Sequence, residues 1–139
     1  MADLSITVAE VLEGSNADTA VVTAGATVTA GQTVYLDVSA NTYKLAQSDG
    51  TSEEATVAGI ALHASLSGQP LKIQTAGTVT IGATASVTEG VFYVLSDTAG
   101  GIAPHTDALA STEYASFIGV GDGSNGIVMG ILNSGQQVA

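Results

Sequence analysis

The two histidines of the chain are the side chains best suited to proton transfer near neutral pH, but their surroundings do not favour that role. His63 lies in an apolar run with Ile60 and Leu62, which predicts a half-buried, hydrogen-bonded strand residue. His105 lies in a polar loop and is expected to be exposed. Neither histidine has a second His, a Cys or an acid at metal-ligand spacing, so the sequence predicts no zinc site.

Acidic residues beside glycines are the next candidates for chemistry. Residues 122–126 (Asp-Gly-Ser-Asn-Gly) lack the alternating oxygen ligands and the closing glutamate of an EF-hand. Residues 49–51 (Asp-Gly-Thr) and 122–124 (Asp-Gly-Ser) reverse the residue order of dimeric acid proteases. The adjacent acids Glu53 and Glu54 would diverge on a strand or remain solvated in a loop. We therefore interpret these acids as turn and surface residues.

Motifs for a serine nucleophile and for phosphate binding are also missing. No Gly-x-Ser-x-Gly elbow is followed by a histidine and an acid in a plausible order, and no lysine follows the glycine-rich run at 119–123. Tyr35 and Tyr93 occupy similar places in the repeat described below, which favours a packing role over a sugar-binding platform. We predict that the protein is not an enzyme, and we identify no catalytic, cofactor-binding or metal-binding residue.

The charge balance excludes polyanionic partners. Thirteen acids stand against only Lys44 and Lys72, which gives a formal charge of −11 that would repel nucleic acid and anionic membranes. The start, Met1-Ala2-Asp3, lacks the basic residues and apolar core of a secretory signal. The uncharged stretch 19–36 contains too many glycines and threonines for a spanning helix. We expect a soluble chain without a nucleic-acid or membrane partner.

Size and composition favour one all-β domain that associates with other copies. The 139 residues suit one compact body, and the chain has 17 glycines, few aromatic residues and no cysteine, so burial against other subunits would supplement its core. Short runs rich in Val, Ile, Thr and Tyr alternate with glycine turns, and no stretch has a sustained helical period. The predicted strands are 33–38, 57–62, 71–74, 78–81, 91–95, 115–120 and 127–132. Such strands favour a small barrel or sandwich, and residues 107–114 are expected to be a loop with at most one helical turn.

An internal repeat spans most of the chain. The pattern at 28–36 returns at 87–95, that at 57–61 returns at 117–121, and that at 71–77 returns at 129–135, so the order is kept and the spacing is nearly constant. We therefore predict one barrel domain over 21–139 that contains two related halves, 21–77 and 78–135. Glycines are expected to mark its turns and close backbone approaches: Gly31, Gly59, Gly77, Gly90, Gly119 and Gly135.

Two parts of the chain are expected at the periphery. The polar excursions 37–55 and 96–116 are predicted surface loops. Residues 1–20 have no counterpart in the repeat, and their alternating apolar residues indicate either an extra edge strand or an arm that pairs with a neighbouring subunit. The candidate arm contacts are Leu4, Ile6, Val8 and Val11.

Several short motifs, taken in order, resemble the capsid decoration or cement proteins of tailed bacteriophages. They are Ala-Gly at 24–25, Thr-Ala-Gly-Gln-Thr-Val-Tyr-Leu at 29–36, Val-Ala-Gly-Ile-Ala-Leu at 57–62, Gly-Gln-Pro at 68–70 and Ala-Gly-Gly-Ile-Ala-Pro at 99–104. The resemblance extends from about residue 6 to residue 135. It implies a fold of β-barrel or β-tulip type and an N-terminal arm. Together with the internal repeat, it leads us to expect a small β-tulip-like barrel with a pseudo-twofold repeat and an extended N-terminal strand or arm.

The resemblance also implies a function, a partner and a location. A protein of this family is a structural virion protein that assembles in the host cytoplasm, sits on the outer surface of the head, often as a trimer, and stabilises contacts between major capsid proteins. The alternative that the residues leave open is a carbohydrate- or host-surface-binding β module of a phage or bacterial surface, in which Tyr43 or Tyr114 would stack on sugars.

Overall fold

A computed structural model describes residues 3–107 and 109–139, and this part of the chain is all-β. Residues 1 and 2 of the predicted N-terminal segment and Ala108 of the possible helical turn lie outside it. The ten strands are β1 (Leu12–Glu13), β2 (Asp18–Thr23), β3 (Thr33–Asp37), β4 (Thr42–Leu45), β5 (Val57–Ala61), β6 (Pro70–Thr80), β7 (Phe92–Leu95), β8 (Ile102–Pro104), β9 (Tyr114–Gly121) and β10 (Gly126–Gln137). Two 3₁₀ turns, Val8–Glu10 and Ala83–Ala85, are the helical elements of the described residues.

The strands form one curled antiparallel sheet. Its order is β4-β3-β5-β6-β10-β9-β7-β8, and β1 and β2 also pair with β6. The curl produces a half-barrel, so the predicted all-β, barrel-like class is confirmed at that level. Loop hydrogen bonds join the two ends of the sheet: the Gly100 N–H donates to Ala46 O (2.7 Å), the Thr33 N–H donates to Gly100 O (3.0 Å) and the Ser48 N–H donates to Ser96 O (2.9 Å).

Strand β6 serves both parts of the sheet. Residues 70–76 pair with β2, and Gln74 and Ile73 pair with β5, whereas residues 77–80 pair with β10. The two runs predicted at 71–74 and 78–81 are therefore a single strand. Gly77 lies between them with a φ of +84°, and a Cβ there would lie 2.2 Å from the carbonyl oxygen of Asn16.

The side chain of Asn133 links β10 to β5, two strands that are not neighbours in the sheet order. Its Oδ1 accepts from the Val57 N–H (2.9 Å), and its Nδ2 donates to the Val57 carbonyl (3.0 Å). The amide thus imitates a residue of the neighbouring strand and satisfies both polar groups of a buried backbone position. Substitution of Asn133 would leave these two groups without protein partners.

Two apolar clusters lie on opposite sides of the first part of the sheet. The smaller one is built from the first half alone: Ala24, Val28, Val34, Ala61, Leu71 and Ile73. The larger one contains residues of both halves, including Tyr35, Val57 and Ile60 from the first and Tyr93, Ile118 and Ile127 from the second. The first-half sheet is therefore covered on both faces. The smaller cluster covers one face, and the larger cluster, which it shares with the second half, covers the other.

Within the N-terminal segment, residues 4–8 do not form a strand, but residues 12–13 form β1 and residues 18–20 begin β2, and both strands pair with β6. Leu4 and Ile6 pack on the larger core and Val11 is buried, but the chain makes a 3₁₀ turn at Val8, whose side chain is exposed. The Leu4 N–H donates to the carbonyl of Ile102 in β8 (2.7 Å), and this backbone bond does not extend into a ladder. Apolar burial against the body of the chain thus overrides strand propensity here.

The polar excursions are more structured than expected. They contain β4 and β8, and both Ser48 and Ser96 are fully buried, so the prediction of two surface loops is wrong for these portions. The sequence pattern also does not predict strand β2. Its side chains are mostly exposed, so burial leaves no alternating pattern in its sequence.

The predicted glycine positions fall into two groups. Gly31 and Gly90 lie in turns before β3 and β7, with φ of +89° and +78°, and Gly77 and Gly135 have positive φ inside long strands. Gly59 and Gly119 instead allow close backbone approach, because a Cβ would lie 2.6 Å from Gln74 O and 2.2 Å from Val128 O, respectively.

Replacing Gly119 tests this close approach. We expect Gly119→Ala to lower the free energy of unfolding by about 1–3 kcal/mol, because the new methyl group must displace a strand carbonyl. Gly130→Ala in the same pair of strands is the matched control, since a Cβ there meets nothing within 4 Å, and it should change stability by less than about 1 kcal/mol. Urea unfolding followed by circular dichroism measures both, and equal stabilities of the two variants would contradict the prediction.

Candidate interaction surface

The histidines make structural hydrogen bonds. His63 Nε2 accepts from the Lys72 N–H (3.0 Å), which places the ring proton on Nδ1, and Nδ1 donates to Ala64 O (2.8 Å). His63 is hydrogen-bonded as expected but exposed instead of half-buried, because it lies just beyond the end of β5. His105 is exposed, as predicted, and its ring packs edge-on against Phe92 with centroids 5.5 Å apart.

The acids that were considered for chemistry stabilise turns. Asp122 Oδ1 accepts from the backbone N–H groups of Ser124 (2.7 Å) and Gly126 (3.0 Å), and Glu54 Oε2 accepts from the Thr51 N–H (2.8 Å). Within residues 3–107 and 109–139, no group of three or more His, Cys, Asp or Glu side chains is placed to hold a metal ion.

Glu113 is a buried acid that sequence reasoning missed. Its side chain is 4% exposed; Oε1 accepts from the Ser48 hydroxyl (2.8 Å), and Oε2 accepts from the Ala110 N–H. The Tyr114 N–H donates to Ser48 O (2.8 Å), so the two polar excursions are tied together at this point. The partners Ser48 and Glu113 are far apart in sequence, and no local pattern around Glu113 indicates such a contact.

Both lysines form ion pairs with acids. Lys44 Nζ lies 2.7 Å from Asp37 Oδ2, and Lys72 pairs with Glu13. The hydrogen bond from Lys44, with a further one from Ser39, lowers the pKa of Asp37 below its ordinary value of 3.8. The same bond raises the pKa of Lys44 above 10.5. Positive charge on the described surface is thus held close to negative partners.

An apolar surface lies on the outer side of β7, β9 and β10, and we call it the β7–β9–β10 face. It consists of Phe92, Phe117, Val120, Val128 and Leu132. Four of these side chains are 42–60% exposed, which is high for residues of this size and polarity. They surround a groove of about 440 Å³ whose lining also includes Gly119, Met129 and Gly130.

Strand geometry explains how these residues come together. Alternation along β10 places Ile127 and Met129 in the core and Val128 outside, while Val128 pairs with Val120 across the ladder. Phe92 and Phe117 meet edge-on, with centroids 6.2 Å apart and an interplanar angle of 61°.

The β7–β9–β10 face also lacks charge. Neither β9 nor β10 contains an Asp, Glu, Lys or Arg, although the chain as a whole has thirteen acids. An apolar, uncharged sheet face rimmed by polar loops is typical of a protein–protein contact. The sequence contains two signals for this face. One is the absence of charge over 114–121 and 126–137, and the other is that these strands have apolar residues at outward as well as inward positions.

The tyrosines do not form an exposed platform. Tyr35 and Tyr93 are 7% and 1% exposed, as expected for packing, and the Tyr93 hydroxyl accepts from the Thr88 N–H (2.9 Å). Tyr43 and Tyr114 are partly buried and pack against the smaller and larger core, respectively.

The described residues include no helix long and apolar enough to span a membrane.

Comparison with known proteins adds no relative: no family model, curated protein or solved structure matches this chain.

The Asp37–Lys44 pair predicts a pH-dependent contribution to stability. Because the pKa of Asp37 is lowered in the folded state, the pair stabilises the fold above pH 3.8, and this contribution is lost as the pH falls through the lowered pKa. We expect Lys44→Met to be less stable than wild type at neutral pH and to approach it in acid. Urea unfolding at several pH values tests this.

The control for this measurement is Lys72→Met, which removes the other lysine. In that variant an NMR titration should still find the pKa of Asp37 below 3.8, whereas in Lys44→Met it should rise. A stability difference between Lys44→Met and wild type that persists unchanged in strong acid would contradict the assignment.

Proposed function

We propose that this protein is a structural virion protein that binds the outer surface of a phage head and stabilises contacts between major capsid proteins. The observation that carries the proposal is the uncharged apolar β7–β9–β10 face on a chain of net charge −11, because it indicates a protein whose task is contact with other proteins. The capsid is proposed as the target because the ordered motifs at 24–36, 57–62, 68–70 and 99–104 resemble those of phage capsid decoration proteins.

We also infer that the barrel contains two copies of one unit. In the first half Val34 pairs with Gly59, a bulge follows, and Tyr35 pairs with Val57. In the second half Tyr93 pairs with Gly119, a bulge follows, and Val94 pairs with Phe117. The sequence repeat, which relates 28–36 to 87–95 and 57–61 to 117–121, thus relates both pairs and the bulge between them. This agreement supports a duplicated unit.

The last strand of each unit, β6 in the first half and β10 in the second, also pairs with the strand before it. Its register, however, differs from the one that the sequence repeat predicts. Ile60 pairs with Gln74 in the first half, and Val120 pairs with Val128 in the second. The ladder therefore relates Gln74 to Val128, whereas the sequence motifs at 71–77 and 129–135 relate Gln74 to Leu132. We infer that the pairing register is the better guide to equivalent positions in this strand.

The N-terminal segment has a place in this scheme. In the first half the Gly25 N–H donates to Tyr43 O (2.7 Å) beside β4, and in the second half the Leu4 N–H donates to Ile102 O (2.7 Å) beside β8. Tyr43 and Ile102 are equivalent when 28–36 is aligned with 87–95 and the alignment is extended without a gap. We infer that residues 3–6 occupy a position beside β8 equivalent to the position of residues 24–25 beside β4. An arm that reaches a neighbouring subunit stays a prediction.

A cement role follows from rigidity and repeated contact. A rigid body that touches several capsid subunits gains avidity without one strong contact, and an oligomer, with a trimer as the predicted form, multiplies that gain. The acidity of the remaining surface keeps free subunits soluble before they reach the head.

Heads that lack the protein provide the direct test. Purified protein should bind such heads to a saturating ratio and raise the temperature at which they release DNA, as followed by co-sedimentation and dye fluorescence. Heads already saturated with the protein are the control and should take up no more. Failure to bind, or binding without any gain in heat or dilution tolerance, would contradict the proposed role.

A further inference from the structure

The exposed β7–β9–β10 face has a buried counterpart in the first half. The pairing registers relate Phe92 to Thr33 and Phe117 to Val57. Phe92 and Phe117 are 49% and 42% exposed, whereas Thr33 and Val57 are 0% and 3% exposed. The same comparison holds for Val128, which is 48% exposed, and Gln74, which is fully buried.

The buried counterpart shows what this side of the unit packs against. Val57 and Ile60 belong to the larger core, where they meet Tyr93, Ile118 and Ile127 of the second half. The outer side of the first unit is thus covered by apolar side chains of the second unit. Among the described residues, no further unit covers the equivalent side of the second unit, so that side stays exposed in the single chain.

The uncovered side of the second unit extends beyond the groove. Val128 pairs with Thr78, and Leu12 pairs with Thr80, two residues further along the same strand. Cross-strand partners share one side of a sheet, so Leu12, at 62% exposure, lies on the same side as Val128. The uncovered side of the sheet therefore continues across Thr78 and Thr80 of β6 to the exposed Leu12 of β1.

We propose that a second copy of this chain covers the β7–β9–β10 face, with the same face of each copy in the contact. The proposal uses the duplicated unit inferred above. It requires neither the capsid role nor the predicted trimer, since a contact between like faces of two copies is two-fold.

Charge selects a second copy over a basic partner. Two chains that each carry −11 repel, so they approach best where neither presents an acid, and β9 and β10 contain none. A basic partner would instead gain from contacts with the acidic surface elsewhere. Added salt should therefore strengthen self-association through this face, because it screens the repulsion between the copies.

Solution mass measures the contact directly. We expect light scattering at micromolar concentration to give at least twice the mass of a single chain, with the oligomer fraction rising as sodium chloride is added. Phe117→Gln combined with Val128→Gln should give a single chain mass. Val38→Gln combined with Leu66→Gln is the matched control, since these side chains are 68% and 57% exposed outside the face, and it should remain oligomeric.

Cysteine cross-linking supplies a second readout, and a cysteine at position 128 disturbs the apolar face less than glutamine does. The chain has no cysteine, so Val128→Cys with a short bis-maleimide should give a covalent dimer, while Val38→Cys should give no covalent dimer. A single chain mass for wild type at every concentration and salt level, or equal cross-linking at both positions, would overturn the proposal.

Head binding separates this inference from the proposed function. Wild type that is a monomer in solution, yet loses head binding when Phe117 and Val128 are replaced, would assign the face to the capsid and overturn the self-contact. An oligomer that depends on the face and ignores heads would support the self-contact and contradict the capsid role.

Discussion

The structure depends on the 11-residue strand β6, which completes one part of the sheet and begins the next. Its backbone pairs with β2 and β5 over its first part and with β1 and β10 over its second. A strand interior requires partners for its N–H and C=O groups, so this continuous pairing fixes how the two parts of the sheet sit against each other. The positive φ of Gly77 lets the strand pass Asn16 at the change of partners.

This arrangement explains why the two halves differ in burial although their pairing is alike. The first-half sheet lies between two apolar clusters, whereas the second-half sheet has the larger cluster on one side only. The outer side of the second half is apolar all the same, with Phe92 and Phe117 at positions where the first half has buried Thr33 and Val57. Large aromatic rings at exposed positions are costly in water, and this cost is the physical basis of the contact proposed at this face.

The sequence predicts the strands that contribute to the core and fails where a strand is mostly exposed. Strands β3, β5, β7, β9 and β10 lie close to the predicted runs because each is rich in apolar and β-branched residues and has buried side chains. Strands β2, β4 and β8 escape prediction, since a short strand or an edge strand such as β2 is specified by its neighbours more than by its own residues. Glu113 and Asn133 escape it for a related reason: each bonds to a residue in the other half of the chain.

The apolar face shows why an interaction surface is harder to predict than a core. Alternation identifies one side of β10 as apolar, but Val128 and Leu132 make the other side apolar too, and a strand with two apolar sides is expected to be buried on both. The structure of one chain buries only the inner side. The discrepancy between a two-sided apolar pattern and one-sided burial is therefore itself a signal, and the proposed contact with a second copy rests on it.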